Sequence, residues 1–212
     1  MVFASDYLGL QPQKRRVFFS FHYQNDIWRV NQVRNSWRYN HENTRLSEGF
    51  FDGSIWESSR RTGPDSLKSL IREGVKNTSV TCVLIGAETY QRRWVRYELA
   101  RSVIKGNGLL GVKIHLMGNQ LGYASHEGPN PLDYVGVYNA GGTVRMAEIV
   151  NGKWVKYDDY TQAVDLPATW VRPHDTSVIK LSRYARLYCY RSQNGIANFP
   201  SWVRQAAADV GR

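Results

Sequence analysis

Glu98 is the residue of this sequence with the most chemical promise. It lies in a helical stretch with Trp94 four residues before it, Arg101 three residues after it, and Tyr97 and Leu99 on either side. A carboxylate held against an indole and a phenol loses water, and a desolvated charge acts more strongly on a nearby cation than a solvated one. The same spacing suits an exposed glutamate paired with Arg101, worth about 0.2–0.5 kcal/mol, and spacing by itself favours that plainer reading. His22 is the second candidate. It follows the apolar run Val17-Phe18-Phe19-Ser20-Phe21, at the carboxyl end of a strand, where open α/β sheets bind ligands. Its alternative is a strand-end polar residue satisfied by backbone.

Other motifs carry less. Gly106-Asn107-Gly108-Leu109-Leu110-Gly111 spells G-x-G-x-x-G, but a dinucleotide fingerprint follows a strand and opens a helix. Here it follows a helix and precedes a strand, so it reads as a glycine-rich helix stop. Ser102 to Lys105 spells S-x-x-K inside a helix without companion motifs. His22, His41, His115, His126 and His174 show no metal-ligand spacing, so no metal is expected. Cys82 and Cys189 form no disulfide framework, and Cys82 sits in an apolar run that reads as core.

The elements that must position these residues alternate. Residues 1–15 read as a leader. A strand over 16–21 puts Val17, Phe19 and Phe21 on one face and Phe18, Ser20 and His22 on the other. Asp26 is expected to cap a helix running to about Tyr39. Phe50 to Gly53 reads as a short strand, which places Asp52 at a strand end. Asp65 or Ser66 should cap a helix bearing Leu67, Leu70, Ile71 and Val75. Val80 to Ile85 is continuous and apolar, as in a central parallel strand covered on both faces. A helix over 90–105 and a strand over 109–116 follow. This order predicts an α/β fold, a flavodoxin-like open parallel sheet flanked by helices. Later, Asn151-Gly152 between two alternating segments predicts a β-hairpin, 143–150 with 153–157, inserted on the sheet over about 134–160. Helices over 177–191 and 201–209 close one domain spanning 16–212.

Composition narrows the partners. The 212 residues carry 28 Lys plus Arg against 18 Asp plus Glu, a formal charge of +10, which predicts an anionic partner. The cations are spread along the chain with no helix-turn-helix or RNP signature, which argues against nucleic acid. No apolar run approaches the roughly 20 residues of a membrane span, and the N-terminus has no apolar core of a signal peptide. A cytoplasmic protein without membrane attachment is expected.

Arg16 to Tyr23 with Asp26 resembles the opening strand of the TIR-like family. Thr89 to Glu98 resembles the segment of that family carrying W-x-x-x-E, here Trp94 and Glu98. Asn194-Gly195, Asn198-Phe199 and Trp202-Val203 are similar to the tail of its bacterial and archaeal branch, which includes the TIR-like proteins of Thoeris anti-phage defence. The resemblance covers roughly 16–205. The hairpin around Asn151 and the loop 41–59 are additions to a minimal TIR domain.

The resemblance implies an NAD-consuming enzyme of NAD nucleosidase or ADP-ribosyl cyclase type, with NAD as substrate and no cofactor. Glu98 would be catalytic. Phe18, at the family's first-strand aromatic position, would line the pocket with Trp94 as flat walls, and His22 and Asp52 would make polar contacts. The product would be a cyclic ADP-ribose isomer that activates an effector protein, with a phage protein as trigger and self-association as a further contact. Cleaving nicotinamide from ribose develops oxocarbenium character on the sugar, and one carboxylate facing that cation suffices because nicotinamide leaves neutral. The pyrophosphate of such a ligand would engage one or two of the 28 cations. The alternative is a non-catalytic TIR-like interaction module, docking through Arg60, Arg61, Arg92 and Arg93.

Overall fold

A computed structural model of the chain describes residues 15–39 and 63–212. Its first layer is a parallel sheet built from β1 (Val17–Ser20), β2 (Val80–Ile85), β3 (Gly108–Lys113) and β8 (Ala185–Cys189), in the order β1-β2-β3-β8. Val17 pairs with Val80 and Ser20 with Val83, while Val80 also pairs with Gly108. Every residue of β1 and β2 is buried, because helices cover both faces.

The alternation expected for the first strand holds. Phe18 joins Val83 and Ile85 against α2 (Pro64–Lys76) and α3 (Arg93–Lys105), through Leu67, Ile71, Val95 and Leu99. Val17 and Phe19 join Cys82 and Leu84 on the opposite face. There they meet Val30 and Val33 of α1 (Tyr23–Tyr39) and Phe199, Trp202 and Val203 of α4 (Gly195–Ala208). Cys82 is fully buried, as core.

The second layer is antiparallel: β4 (Val135–Ala140), β5 (Thr143–Val150), β6 (Lys153–Lys156) and β7 (Ile179–Lys180), in the order β6-β5-β4-β7. The Asn151-Gly152 turn falls where expected, with both residues at positive φ. The hairpin does not extend the parallel sheet, however. It gains β4 and β7 as neighbours and packs its apolar side, Val137, Val144, Met146 and Tyr157, into the core that includes α3. α3 therefore lies between two sheets.

Several expected boundaries are corrected. Residues 177–191 are not a helix: they form β7, a short 3-10 turn over Leu181–Tyr184, and β8. The apolar spacing there fits a turn followed by an edge strand, and pairing of Leu109–Lys113 with Ala185–Cys189 supplies what local periodicity lacks. Asp26 is not a cap but a buried residue of the first turn of α1. Gly63 precedes α2, with Pro64 opening it, in place of an Asp65 or Ser66 cap. The helix expected over 90–105 is split by Arg92, whose extended backbone separates a 3-10 turn (Thr89–Gln91) from α3. β3 ends at Lys113, three residues early, and the last helix begins at Gly195, carrying Pro200 inside it.

The glycine-rich stop behaves as one. Gly106 ends α3 in the left-handed region, and a Cβ on Gly108 would lie 1.9 Å from the Ala206 carbonyl oxygen, so these glycines serve packing. The strand expected over 50–53, with Asp52, as well as His41, Arg60, Arg61 and the leader up to residue 14, lie outside the described residues. Among the described residues no helix is long and apolar enough to cross a membrane.

Candidate functional site

Ser20 ends β1, and its side chain points, like that of Phe18 two residues earlier, toward α3. There the Ser20 hydroxyl donates a 2.5 Å hydrogen bond to Glu98 Oε2. Glu98 is 6% exposed, and burial pushes its carboxyl up to about 8, against a usual 4.5, with the Ser20 bond pulling the other way. Among the described residues the hydroxyl is the carboxyl's one side-chain partner. Arg101 does not neutralise it: that guanidinium lies over the Tyr160 ring at 5.7 Å. Spacing favours a Glu98–Arg101 pair, and the fold instead turns Glu98 inward and lays Arg101 over Tyr160, beyond the end of β6.

Glu98 forms the floor of a cavity of about 230 Å³ beyond the carboxyl end of β1. One wall is the turn from β1 into α1, with Phe21, His22, Tyr23 and Gln24. The other is the start of α3, with Gln91, Arg92, Arg93, Trp94 and Val95. Trp94 packs edge-on against Tyr97, ring centroids 5.9 Å apart. His22 is buried, and its Nδ1 has no hydrogen-bond partner among the described residues. Burial, then the positive charge of Arg92, holds the imidazole below its usual 6.5 despite the opposing charge of Glu88. His22 therefore stays neutral at pH 7.

A buried polar network fixes the two walls relative to each other. Asp26 pairs with Arg29 at 3.2 Å. Arg29 Nε donates to the Met117 carbonyl at 2.9 Å and Nη2 to that of Tyr123 at 3.2 Å. On its other side the Asp26 carboxylate faces Gly86, where a Cβ would lie 2.1 Å from Oδ2. Thr89 Oγ1 accepts from the Gly86 amide at 2.9 Å and reaches Asp26 at 3.5 Å. α1, the end of β2 and the turn that leads to Trp94 are thus tied through one carboxylate.

A larger groove of about 780 Å³ runs along Thr169–Val171, Arg183–Arg186 and Asp209. Asp209 there is paired with Arg186, which donates to it at 2.7 and 2.8 Å, and is part-exposed, so the groove holds no buried carboxyl comparable to Glu98. Among the described residues no three metal-binding side chains come together.

The family model for the Thoeris protein ThsB, TIR-like domain, matches residues 18–119. A protein of Bacillus cereus (strain MSX-D12) named "Putative cyclic ADP-D-ribose synthase ThsB1" is 41% identical over 197 residues, covering 89% of this chain and 98% of that one. The chain belongs to the Thoeris ThsB TIR-like family. The matched domain contains every residue lining the 230 Å³ cavity.

Of the residues expected from the TIR-like resemblance, Glu98, His22 and Trp94 meet in one cavity. Phe18 does not line it. Its side chain is fully buried among the α2 and α3 contacts, one pleat below Ser20, and the aromatic that reaches the cavity is Phe21. Asp52 lies outside the described residues. Ser20, Phe21, Arg92 and Arg93 were missed. Ser20 had a signal, a small polar residue in an apolar strand on the face shared with Phe18. Arg92 and Arg93, named as docking residues under the interaction-module alternative, line the cavity.

Proposed function

We propose that this protein cleaves the bond between nicotinamide and ribose in NAD and closes the remaining ADP-ribose into a cyclic isomer that serves as a messenger for an effector protein in anti-phage defence. The observation that carries this reading is Glu98: a buried carboxyl, on the floor of a cavity with an indole wall, hydrogen-bonded by the Ser20 hydroxyl. The name of the Bacillus cereus relative, a cyclic ADP-D-ribose synthase, supports the same reaction class.

Trp94 and Phe21 offer flat apolar surfaces for the nicotinamide ring. The pyridinium charge of bound NAD favours ionised Glu98, drawing its proton off. The carboxylate then faces the ribose. As the bond from C1′ to the pyridinium nitrogen breaks, its electron pair leaves with nicotinamide, which becomes neutral, and positive charge grows on the sugar opposite Glu98. A nucleophile from the same molecule takes C1′ in place of water when held close in a water-poor site. Neutral His22 is available as a hydrogen-bonding partner for a ribose hydroxyl.

The test is nicotinamide release from NAD by the purified full-length chain, with nucleotide products identified by mass spectrometry, alone and in phage-challenged cells. Glu98→Gln should lower the rate by at least about a hundredfold. Equal turnover by the variant would refute the assignment.

A further inference from the structure

We propose that Arg92 makes this site selective for ligands carrying a pyrophosphate, binding that group at the cavity mouth in place of Glu88. The proposal rests on the NAD reading and names the side chain that distinguishes the dinucleotide from its nicotinamide riboside half.

The cavity, about 230 Å³, is smaller than the roughly 300–1,000 Å³ of typical small-molecule pockets. It suits nicotinamide and its ribose, not a whole dinucleotide. In NAD the pyrophosphate joins that ribose through its 5′ carbon. With the ribose over Glu98, the pyrophosphate falls at the rim. Two cations stand there, Arg92 and Arg93, and they are held differently.

Arg93 is committed. It donates to both carboxylate oxygens of Asp159 at 3.0 and 3.3 Å, and its guanidinium lies 5.3 Å from the Trp94 ring centroid. Asp159 is itself anchored by Lys68 at 2.6 Å.

Arg92 is only lightly held. Among the described residues its one ion pair is a single contact, Nη2 to Glu88 Oε2 at 3.0 Å, with side chains 39% and 43% exposed. Its Nε has no hydrogen-bond partner among the described residues. The same Glu88 oxygen already accepts from Asn25 at 2.8 Å, so Glu88 keeps a partner when Arg92 leaves. An exposed single-contact pair contributes little. A guanidinium on phosphate oxygens makes two parallel, charge-assisted bonds. Phosphate therefore outcompetes Glu88 for Arg92. Its charge also reaches the cavity interior, where it helps to keep His22 neutral.

Equilibrium binding to the full-length chain tests this with two probes. ADP-ribose has the pyrophosphate and lacks nicotinamide; nicotinamide riboside is the converse. Arg92→Ala should reduce the ratio of ADP-ribose to nicotinamide riboside affinity by about 10–100-fold, the size of a lost charge-assisted contact. Arg92→Lys, which keeps the charge and loses the fork, should reduce it by about 3–10-fold. Glu88→Gln should tighten ADP-ribose by a few fold. An unchanged ratio in Arg92→Ala, whether both affinities fall together or neither moves, overturns the proposal. Nicotinamide release by the wild-type protein would then leave the NAD reading standing. If the wild type binds neither probe and releases no nicotinamide, both fall.

Discussion

Replacing Glu98 by glutamine should cost this protein its activity and raise its stability, through one cause. Burial holds the Glu98 carboxyl at about 8 in the folded chain, against an ordinary 4.5. A group whose pKa is raised by folding lends stability that is complete below its unfolded value and drains away as the pH climbs through its folded value. Each pH unit between the two is worth about 1.4 kcal/mol, so from pH 5 to pH 9 the loss from this one residue sums to about 4 kcal/mol. Glutamine has nearly the same shape, its amide oxygen can accept the Ser20 hydroxyl, and it does not titrate. All other titrating groups are common to both proteins. For a chain of this size each kcal/mol moves Tm by about 2–4 °C. The Tm difference, Glu98→Gln minus wild type, should therefore grow by roughly 10 °C between pH 5 and pH 9. Thermal unfolding of both proteins at the two pH values, followed by circular dichroism, reads it directly. The same variant should release nicotinamide at least about a hundredfold more slowly. A Tm difference independent of pH would refute the reasoning, because Glu98 would then be neither desolvated nor sharpened by burial.

Three further expectations follow from the same geometry. Wild-type kcat/KM should rise through about pH 8 as Glu98 ionises; removing its stabilising bond with Ser20→Ala should move that rise upward by about one pH unit. A profile centred at the same pH in both proteins would separate Ser20 from Glu98. Trp94→Ala strips an apolar wall from the cavity and should raise KM for NAD by about tenfold, read from initial rates; an unchanged KM would place nicotinamide elsewhere. Gly86→Ala drives a methyl into the Asp26 carboxylate and should destabilise the fold by about 1–3 kcal/mol, seen as a lower urea midpoint. Wild-type stability would show that the Asp26 network is slack.

The legible parts of the sequence were those governed by local pattern. β1 alternates Phe18 and Ser20 against Val17 and Phe19, and the two cores divide along that alternation. Val80–Ile85 announced a strand buried on both faces, and Asn151-Gly152 a hairpin turn, because backbone conformation and burial act over a few residues. Residues 177–191 misled for the same reason. Their apolar spacing resembles a helix, and only pairing with β3 makes 185–189 a strand.

Glu98 marks the line between the two kinds of information most clearly. Sequence placed it on a helix between Trp94 and Arg101, as the last residue of the family motif, and determined that a carboxylate stands there. Whether it met water or protein depended on where α3 packs. The second sheet covers that helix and the segment after β6 offers Tyr160 to Arg101, while β1 brings Ser20 across 78 positions of chain to Glu98. Desolvation and hydrogen bonding are properties of surroundings assembled from distant segments, so the raised affinity of Glu98 for its proton belongs to the tertiary structure alone.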